Sequence, residues 1–279
     1  MKFKKLATAL TLCGAIFAAP LSAAPILSDL VFVVDESGSM GTVQANLRTN
    51  IGLFASILMG TGQVDAQFGL VGYGNSNQAP RMVTDLTDAG SFSTAAETLT
   101  ASGGTEPGYT ATAFALNALD GQSDLFSFRS NAVKNIIILT DEPSVGDNTF
   151  NGAVGGNAVT ETVVDEVLDE NNALYNGVLT NSTDINTIAS FKTLITEHGG
   201  SVFDLDLFNT SDQSIVQQFV SDFANAKLQE TLTFCELNPT DPACNGGPGN
   251  PVAEPSSIAL LGLGLSGLVA VRRRKAATA

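Results

Sequence analysis

Three residues at alternating positions, Asp35, Ser37 and Ser39 in the stretch Asp35-Glu36-Ser37-Gly38-Ser39-Met40-Gly41, offer one carboxylate and two hydroxyls. They directly follow the apolar run Leu30-Val31-Phe32-Val33-Val34. In an open α/β sheet, ligands collect at the carboxyl ends of strands, and a tight loop there can turn alternating side chains toward one point. All three are hard oxygen donors, a set that suits Mg²⁺ better than zinc or copper, with Mn²⁺ or Ca²⁺ as alternatives. Capping of a helix that begins near Met40 is the competing account; it explains one of the three residues. Asp141 closes a second apolar run, Ile136-Ile137-Ile138-Leu139-Thr140, and so also belongs at a strand's carboxyl end. Thr105 lies in Ser102-Gly103-Gly104-Thr105-Glu106-Pro107, whose glycines permit close backbone approach. Asp35, Ser37, Ser39, Thr105 and Asp141 are therefore the candidate metal site, with positions left for water or an incoming ligand.

Such a site points to binding. Two formal negative charges leave a divalent ion unsatisfied, so a partner's carboxylate or other anionic oxygen can complete its shell. Hydrolysis would require a positioned general base beside the metal. The nearby candidates, Glu36, Glu106 and Glu142, have no spacing that marks one of them, so the expectation is a protein without enzymatic activity. A third class, a structural component of the cell envelope or biofilm matrix, differs only in whether the metal matters.

Charge narrows the partners. The 279 residues carry a formal net charge of −15, from 13 Lys and Arg against 28 Asp and Glu. Seven of the basic residues sit at the extreme ends, leaving Arg48, Arg81, Arg129, Lys134, Lys192 and Lys227 to face every acidic residue between them. A body so acidic repels phosphate backbones, which excludes nucleic acid as a partner. One His, three Cys, no Trp and no Gly-rich phosphate loop ending in Lys leave little for nucleophilic or nucleotide chemistry.

The elements that must position the five residues follow from periodicity. Leu30–Val34 and Ile136–Leu139 read as strands buried on both faces. Phe68–Tyr73, Met82–Leu86, Leu174–Leu179 and Val202–Phe208 read as further strands. Val43, Leu47, Ile51, Phe54 and Leu58 fall on one helical face. Other helices are marked by Phe114 and Leu116, by Val163, Val164, Val167 and Leu168, by Ile185, Ile188, Phe191 and Ile195, and by Ile215, Phe219, Val220 and Phe223. The fourth is stopped by Gly199-Gly200 and the last is capped near Ser211. This alternation predicts an α/β fold, doubly wound around a mostly parallel central sheet with helices on both faces. Asp204 and Asp206 should share a solvated strand face, and His198 should lie on the surface in a helix's last turn. The Gly- and Asn-rich stretch 147–160 should lie on the metal face, where it would shape partner choice.

Both ends read as addresses. Met1-Lys2-Phe3-Lys4-Lys5, an apolar Leu6–Ala19 and small residues to Ala23 make a secretory signal over 1–23. The expected domain spans 28–231, followed by a Cys-containing, Gly/Pro-rich linker over 232–252. The last segment, 253–275, comprises Ala253-Glu254-Pro255-Ser256-Ser257, a short apolar run Ile258–Val271 read as a transmembrane helix, and Arg272-Arg273-Arg274-Lys275. The basic cluster should stay cytoplasmic, which places the chain before it across the membrane. Cys235 and Cys244 would then meet an oxidising compartment and form a disulfide.

Two resemblances bear on these readings. The tail resembles the PEP-CTERM sorting signal of Gram-negative bacteria, with Ala253-Glu254-Pro255 where the family has Pro-Glu-Pro. It implies export across the inner membrane, anchoring until processing by an exosortase, and a cell-surface or secreted product. The body resembles the von Willebrand factor type A family, a Rossmann-like fold. Its metal-ion-dependent adhesion site has the pattern Asp-x-Ser-x-Ser, then Thr, then Asp, matched here by Asp35, Ser37, Ser39, Thr105 and Asp141. The resemblance implies serines and threonine that touch the metal, aspartates that act largely through water, and a protein or anionic-polymer ligand. Glu142 stands where the family commonly has Gly.

Overall fold

The computed structural model describes residues 24–76, 79–147, 152–181 and 185–244. The signal segment, the tail, the linker beyond 244 and part of the 147–160 stretch lie outside the described residues. Six strands form one sheet: β1 (Ile26–Asp35), β2 (Val64–Tyr73), β3 (Arg81–Thr87), β4 (Ala132–Thr140), β7 (Leu174–Leu179) and β8 (Val202–Asp204). Their order is β3-β2-β1-β4-β7-β8, and only β3 runs antiparallel to its neighbour. A two-stranded hairpin, β5 (Ala153–Val154) with β6 (Asn157–Ala158), stands apart from the sheet.

The uninterrupted apolar run of β1 is explained by burial on both sides. Leu30, Phe32 and Val34 enter one core, and Val31 and Val33 enter the other. β4 divides in the same way, Ile137 and Leu139 against Ile136 and Ile138. The first core is closed by α1 (Gly41–Leu58), α2 (Ala89–Ala95) and α6 (Gln213–Leu237). The second is closed by α3 (Gly108–Ala115), α4 (Glu161–Glu170) and α5 (Ile185–Glu197). All five apolar positions expected on the face of α1 are buried. Phe32, Phe54, Phe68 and Phe92 interlock by edge-to-face contacts, with centroids 5.4–6.4 Å apart.

Three readings need correction. The strand expected over 202–208 stops at Asp204, because the Asp204 carboxylate accepts the Asp206 backbone N–H at 3.0 Å and starts a 3₁₀ turn, Leu205–Leu207. The two acids therefore do not share a strand face; Asp206 instead accepts the Thr180 hydroxyl at 3.1 Å. As expected, α6 is capped beside Ser211, by Asp212. That helix runs on through 231 to Leu237, so the segment expected as linker is helical at Cys235. A disulfide joins Cys235 to Cys244, and Phe234, Ala243 and Cys244 pack on Val133, Leu174 and Ile26 at the amino-terminal edge of the sheet. His198 is not a free surface side chain: that side chain is 6% exposed, with Nε2 2.8 Å from Asp165 Oδ1 on α4.

Candidate functional site

The chain leaves β1 for β2 on one side of the sheet and returns to build β4 on the other, so the crevice above β1 and β4 is the switch point of this topology. β1 delivers Asp35 there as its last residue, fully buried. Asp35 Oδ1 accepts the Ser37 backbone N–H at 2.6 Å, which turns the chain at once. Oδ2 accepts the Thr140 hydroxyl at 2.8 Å, which ties the end of β1 to the end of β4. Gln44 of α1 donates to the Asp35 carbonyl at 3.0 Å and to the Thr100 carbonyl at 2.8 Å, holding the helix to both loops. Ser37 is buried, Ser39 is exposed, and their hydroxyl oxygens stand 3.1 Å apart. Neither side chain caps a helix: the 3₁₀ turn Gly38–Met40 has no side-chain cap from Ser37, and α1 starts after Met40.

The residue between Asp35 and Ser37 has a different task. Glu36 is fully buried and accepts Arg81 Nη2 at 2.6 Å and Nε at 3.1 Å, Asn75 Nδ2 at 2.9 Å, and the Thr100 N–H and hydroxyl at 2.7 and 3.2 Å. It clasps β3, the β2–β3 connection and the loop before Thr105 to the end of β1, with every oxygen engaged.

That clasp brings the Thr105 loop in. Ser102 and Gly103 donate their backbone N–H groups to the Glu36 carbonyl at 2.9 and 3.1 Å, and Gly103 pairs with Ser37 in an isolated parallel bridge. A Cβ on Gly103 would fall 1.4 Å from the Gly74 carbonyl oxygen, so no other residue fits. Gly74 takes a φ of +76° to leave β2, and a Cβ there would stand 3.2 Å from Asp35 Oδ1 and 3.4 Å from the Thr105 carbonyl oxygen. Thr105 is half-buried, and among the described residues its hydroxyl has no hydrogen-bond partner.

Asp141 follows β4 and is 6% exposed. Its carbonyl accepts the Thr187 hydroxyl of α5 at 3.1 Å, while its buried Oδ1 has no hydrogen-bond partner. The loop beyond it docks on α3, which begins after Pro107 without a local cap. Ser144 Oγ accepts the Tyr109 N–H at 2.9 Å, Asp147 Oδ1 accepts the Thr110 N–H at 2.8 Å, and Val145 donates to the Glu106 carbonyl at 2.9 Å. Sequence reasoning missed Asp147 as a remote cap. The signal for it was a helix opening on Pro-Gly, which supplies no capping side chain of its own.

The described residues of the stretch 147–160 lie more laterally than expected. The stretch begins at the amino end of α3 through Asp147, then β5 and β6 reach the far end of that helix. There Asp120 donates its N–H to the Ala153 carbonyl at 2.7 Å and accepts Gly155 and Gly156 N–H groups at 2.8 and 2.7 Å. The hairpin therefore flanks α3, and among the described residues of the stretch Asp147 alone lies near the candidate site.

The electrostatics are those of crowded carboxylates. Burial pushes the Asp35 carboxyl up to about 7 against the Ser37 and Thr140 hydrogen bonds, and Asp141 adds to the rise. Burial, then Asp35, Glu142 and Asp141, push Glu106 up to about 8. Among the described residues, no three His, Cys, Asp or Glu side chains converge closely enough to chelate an ion by themselves. Any cation here must rely on the hydroxyls of Ser37, Ser39 and Thr105, with the carboxylates behind them. The donor set fits: all are hard oxygens, and the Asp141 oxygen has a buried lone pair to satisfy.

The sequence matches the von Willebrand factor type A domain over residues 29–218. The chain belongs to this family. The type A domain is followed by a match to the PEP-CTERM protein-sorting motif over residues 251–275, which marks the protein as exported and sorted to the surface by an exosortase. No curated protein matches the chain. The doubly wound, mostly parallel sheet with helices on both faces is the family's Rossmann-like fold.

Proposed function

We propose that this surface-sorted type A domain is a non-enzymatic adhesion module that binds an anionic ligand through a divalent cation, Mg²⁺ in the first instance. One observation carries the reading: at the β1–β4 switch point, the paired Ser37 and Ser39 hydroxyls adjoin the Asp35–Thr140 contact, and the neighbouring Asp141 keeps a buried oxygen without a donor. Ser37, Ser39 and Thr105 would hold the ion directly, and Asp35 and Asp141 would hold its waters. A bound ion would supply a positive centre for a carboxylate of a protein or acidic polymer. Asp35, through Thr140 and the Ser37 N–H, fixes the loop that presents the serines. Glu36 favours binding over hydrolysis, since all its acceptor positions are spent on Arg81, Asn75 and Thr100.

The test uses the full chain with polyglutamate as a carboxylate-bearing probe. Mg²⁺ should raise the melting temperature and permit probe binding, EDTA should abolish both, and Asp35→Ala and Thr105→Ala should respond to neither. Binding should persist in high salt, because salt screens the long-range repulsion between two acidic surfaces. Probe binding without metal, equal in both variants, would overturn the reading in favour of a structural matrix component. Metal-dependent turnover of a peptide, phosphoester or glycan panel would overturn it in favour of a hydrolase.

A further inference from the structure

Glu106 is spent on nothing the fold needs. It is 1% exposed, neither carboxylate oxygen receives a hydrogen bond from an N–H or hydroxyl, and its polar neighbour is another carboxyl, Glu142. Its backbone is fixed from two sides, its carbonyl accepting the Gly108 and Val145 N–H groups at 2.9 Å each. Its side chain lies close to Asp35: a Cβ built on Gly74 would meet Glu106 Cγ at 3.4 Å and Asp35 Oδ1 at 3.2 Å, and the Asp35 charge acts on the Glu106 carboxyl. Arg81, the basic side chain held at this end of β1, is committed to Glu36. A buried carboxylate without donor or counter-ion is among the costliest groups a core can hold. Two such groups adjoin here, since Asp141 Oδ1 is unpartnered as well. A neutral residue of the same size would relieve the strain, so the charge answers a need outside the protein's own packing.

Resting on the metal-binding reading above, we propose that Glu106 is a third carboxylate of the cation site, acting on the ion through bound water from the buried side. The carboxylates do not converge to direct chelating distances, so its part is charge and hydration rather than a coordinate bond. With Asp35 and Asp141 it makes three carboxylates facing a divalent ion, which raises affinity for the metal and leaves the ion less positive toward an incoming anion.

The experiment measures Mg²⁺ binding to the full chain by calorimetry, together with melting temperature in EDTA and in saturating Mg²⁺. Glu106→Gln should weaken Mg²⁺ binding by about 10- to 100-fold, the range seen when an outer group of a metal site is removed. In EDTA the same variant should melt at a higher temperature than the unsubstituted chain, because folding then no longer has to protonate or bury a carboxylate there. Glu170→Gln, on the exposed end of α4, should change neither. Unaltered Mg²⁺ affinity in Glu106→Gln, while Asp35→Ala abolishes binding, overturns this inference and leaves the metal-binding reading standing. Absence of any Mg²⁺ binding to the unsubstituted chain overturns both. Weaker binding with a lower melting temperature in EDTA also overturns it, since Glu106 would then be a structural group.

Discussion

At the scale of single residues, the acidic protein keeps one lysine of its described residues completely inside. Lys227 on α6 is 0% exposed, lies 4.9 and 5.3 Å from the Phe203 and Phe223 ring centres, and pairs with Glu230. Burial holds its ammonium well down, to about 8 from the usual 10.5, against the attraction of Glu230. Keeping it charged inside a phenylalanine cluster costs stability at neutral pH, and the sign of the pH dependence follows. Between pH 8 and 10.5 the unfolded chain binds the proton that the folded chain has released, so stability contributed here rises with pH across that window. Lys227→Met, which fills the same space without charge, should match or exceed the parent in stability at pH 7. Its advantage should shrink as pH climbs from 8 toward 10.5, as followed by urea denaturation at each pH. An advantage that grows over that interval would show that the ammonium is stabilised in place. Nothing in the sequence announced this residue: Lys227 sits amid a polar-looking stretch, and its burial depends on Phe203 arriving from β8.

At the scale of elements, the candidate site depends on loops locked against each other by backbone contacts. Gly103 is the tightest of these, because its Cα faces the Gly74 carbonyl with no room for a methyl group. Gly103→Ala should therefore displace the loop carrying Thr105. The expected outcome is a domain that still folds, judged by far-ultraviolet circular dichroism, but whose Mg²⁺-dependent rise in melting temperature is lost. A full Mg²⁺ response in that variant would mean that Thr105 has no part in holding the ion. Much of this architecture was legible in the sequence, for a physical reason. Strands buried on both faces must be continuously apolar, and helices buried on one face must repeat at three and four, so β1, β4 and α1 announced themselves. The placement of Asp35 and Asp141 at the carboxyl ends of neighbouring strands was legible because each closes a continuous apolar run. What escaped were interactions made by residues distant in sequence. Asp147 caps a helix that starts 39 residues earlier, Glu36 clasps three segments, and His198 finds Asp165 across two helices. The end of β8 escaped for a local reason, since Asp204 can equally continue a strand or start a turn, and its own carboxylate decides.

At the scale of the whole molecule, the disulfide secures the last described turn to α6 and to the amino-terminal edge of the sheet. It closes a short loop, Cys235 to Cys244, with Cα atoms 5.0 Å apart. Restricting so short a loop in the unfolded chain contributes about 2–3 kcal/mol. Reduction, or Cys235→Ser with Cys244→Ser, should therefore lower stability by about that amount in urea denaturation. The Mg²⁺ response should survive, because the bridge lies at the opposite end of the strands from the candidate site. A loss of metal response on reduction would show that the two edges of the sheet are coupled.

That opposition has a mechanical meaning. Ile26, where β1 begins, and Cys244, where the described chain ends, pack together at one pole, while Asp35 closes β1 at the other, about 30 Å away along a ten-residue strand. In sequence, the sorting motif begins at residue 251, seven positions after Cys244. A cell moored through that end and gripping a surface through the other would pull along the strand axes. The β1–β4 ladder would then be loaded in shear, many hydrogen bonds sharing the tension at once, instead of being peeled open one bond at a time.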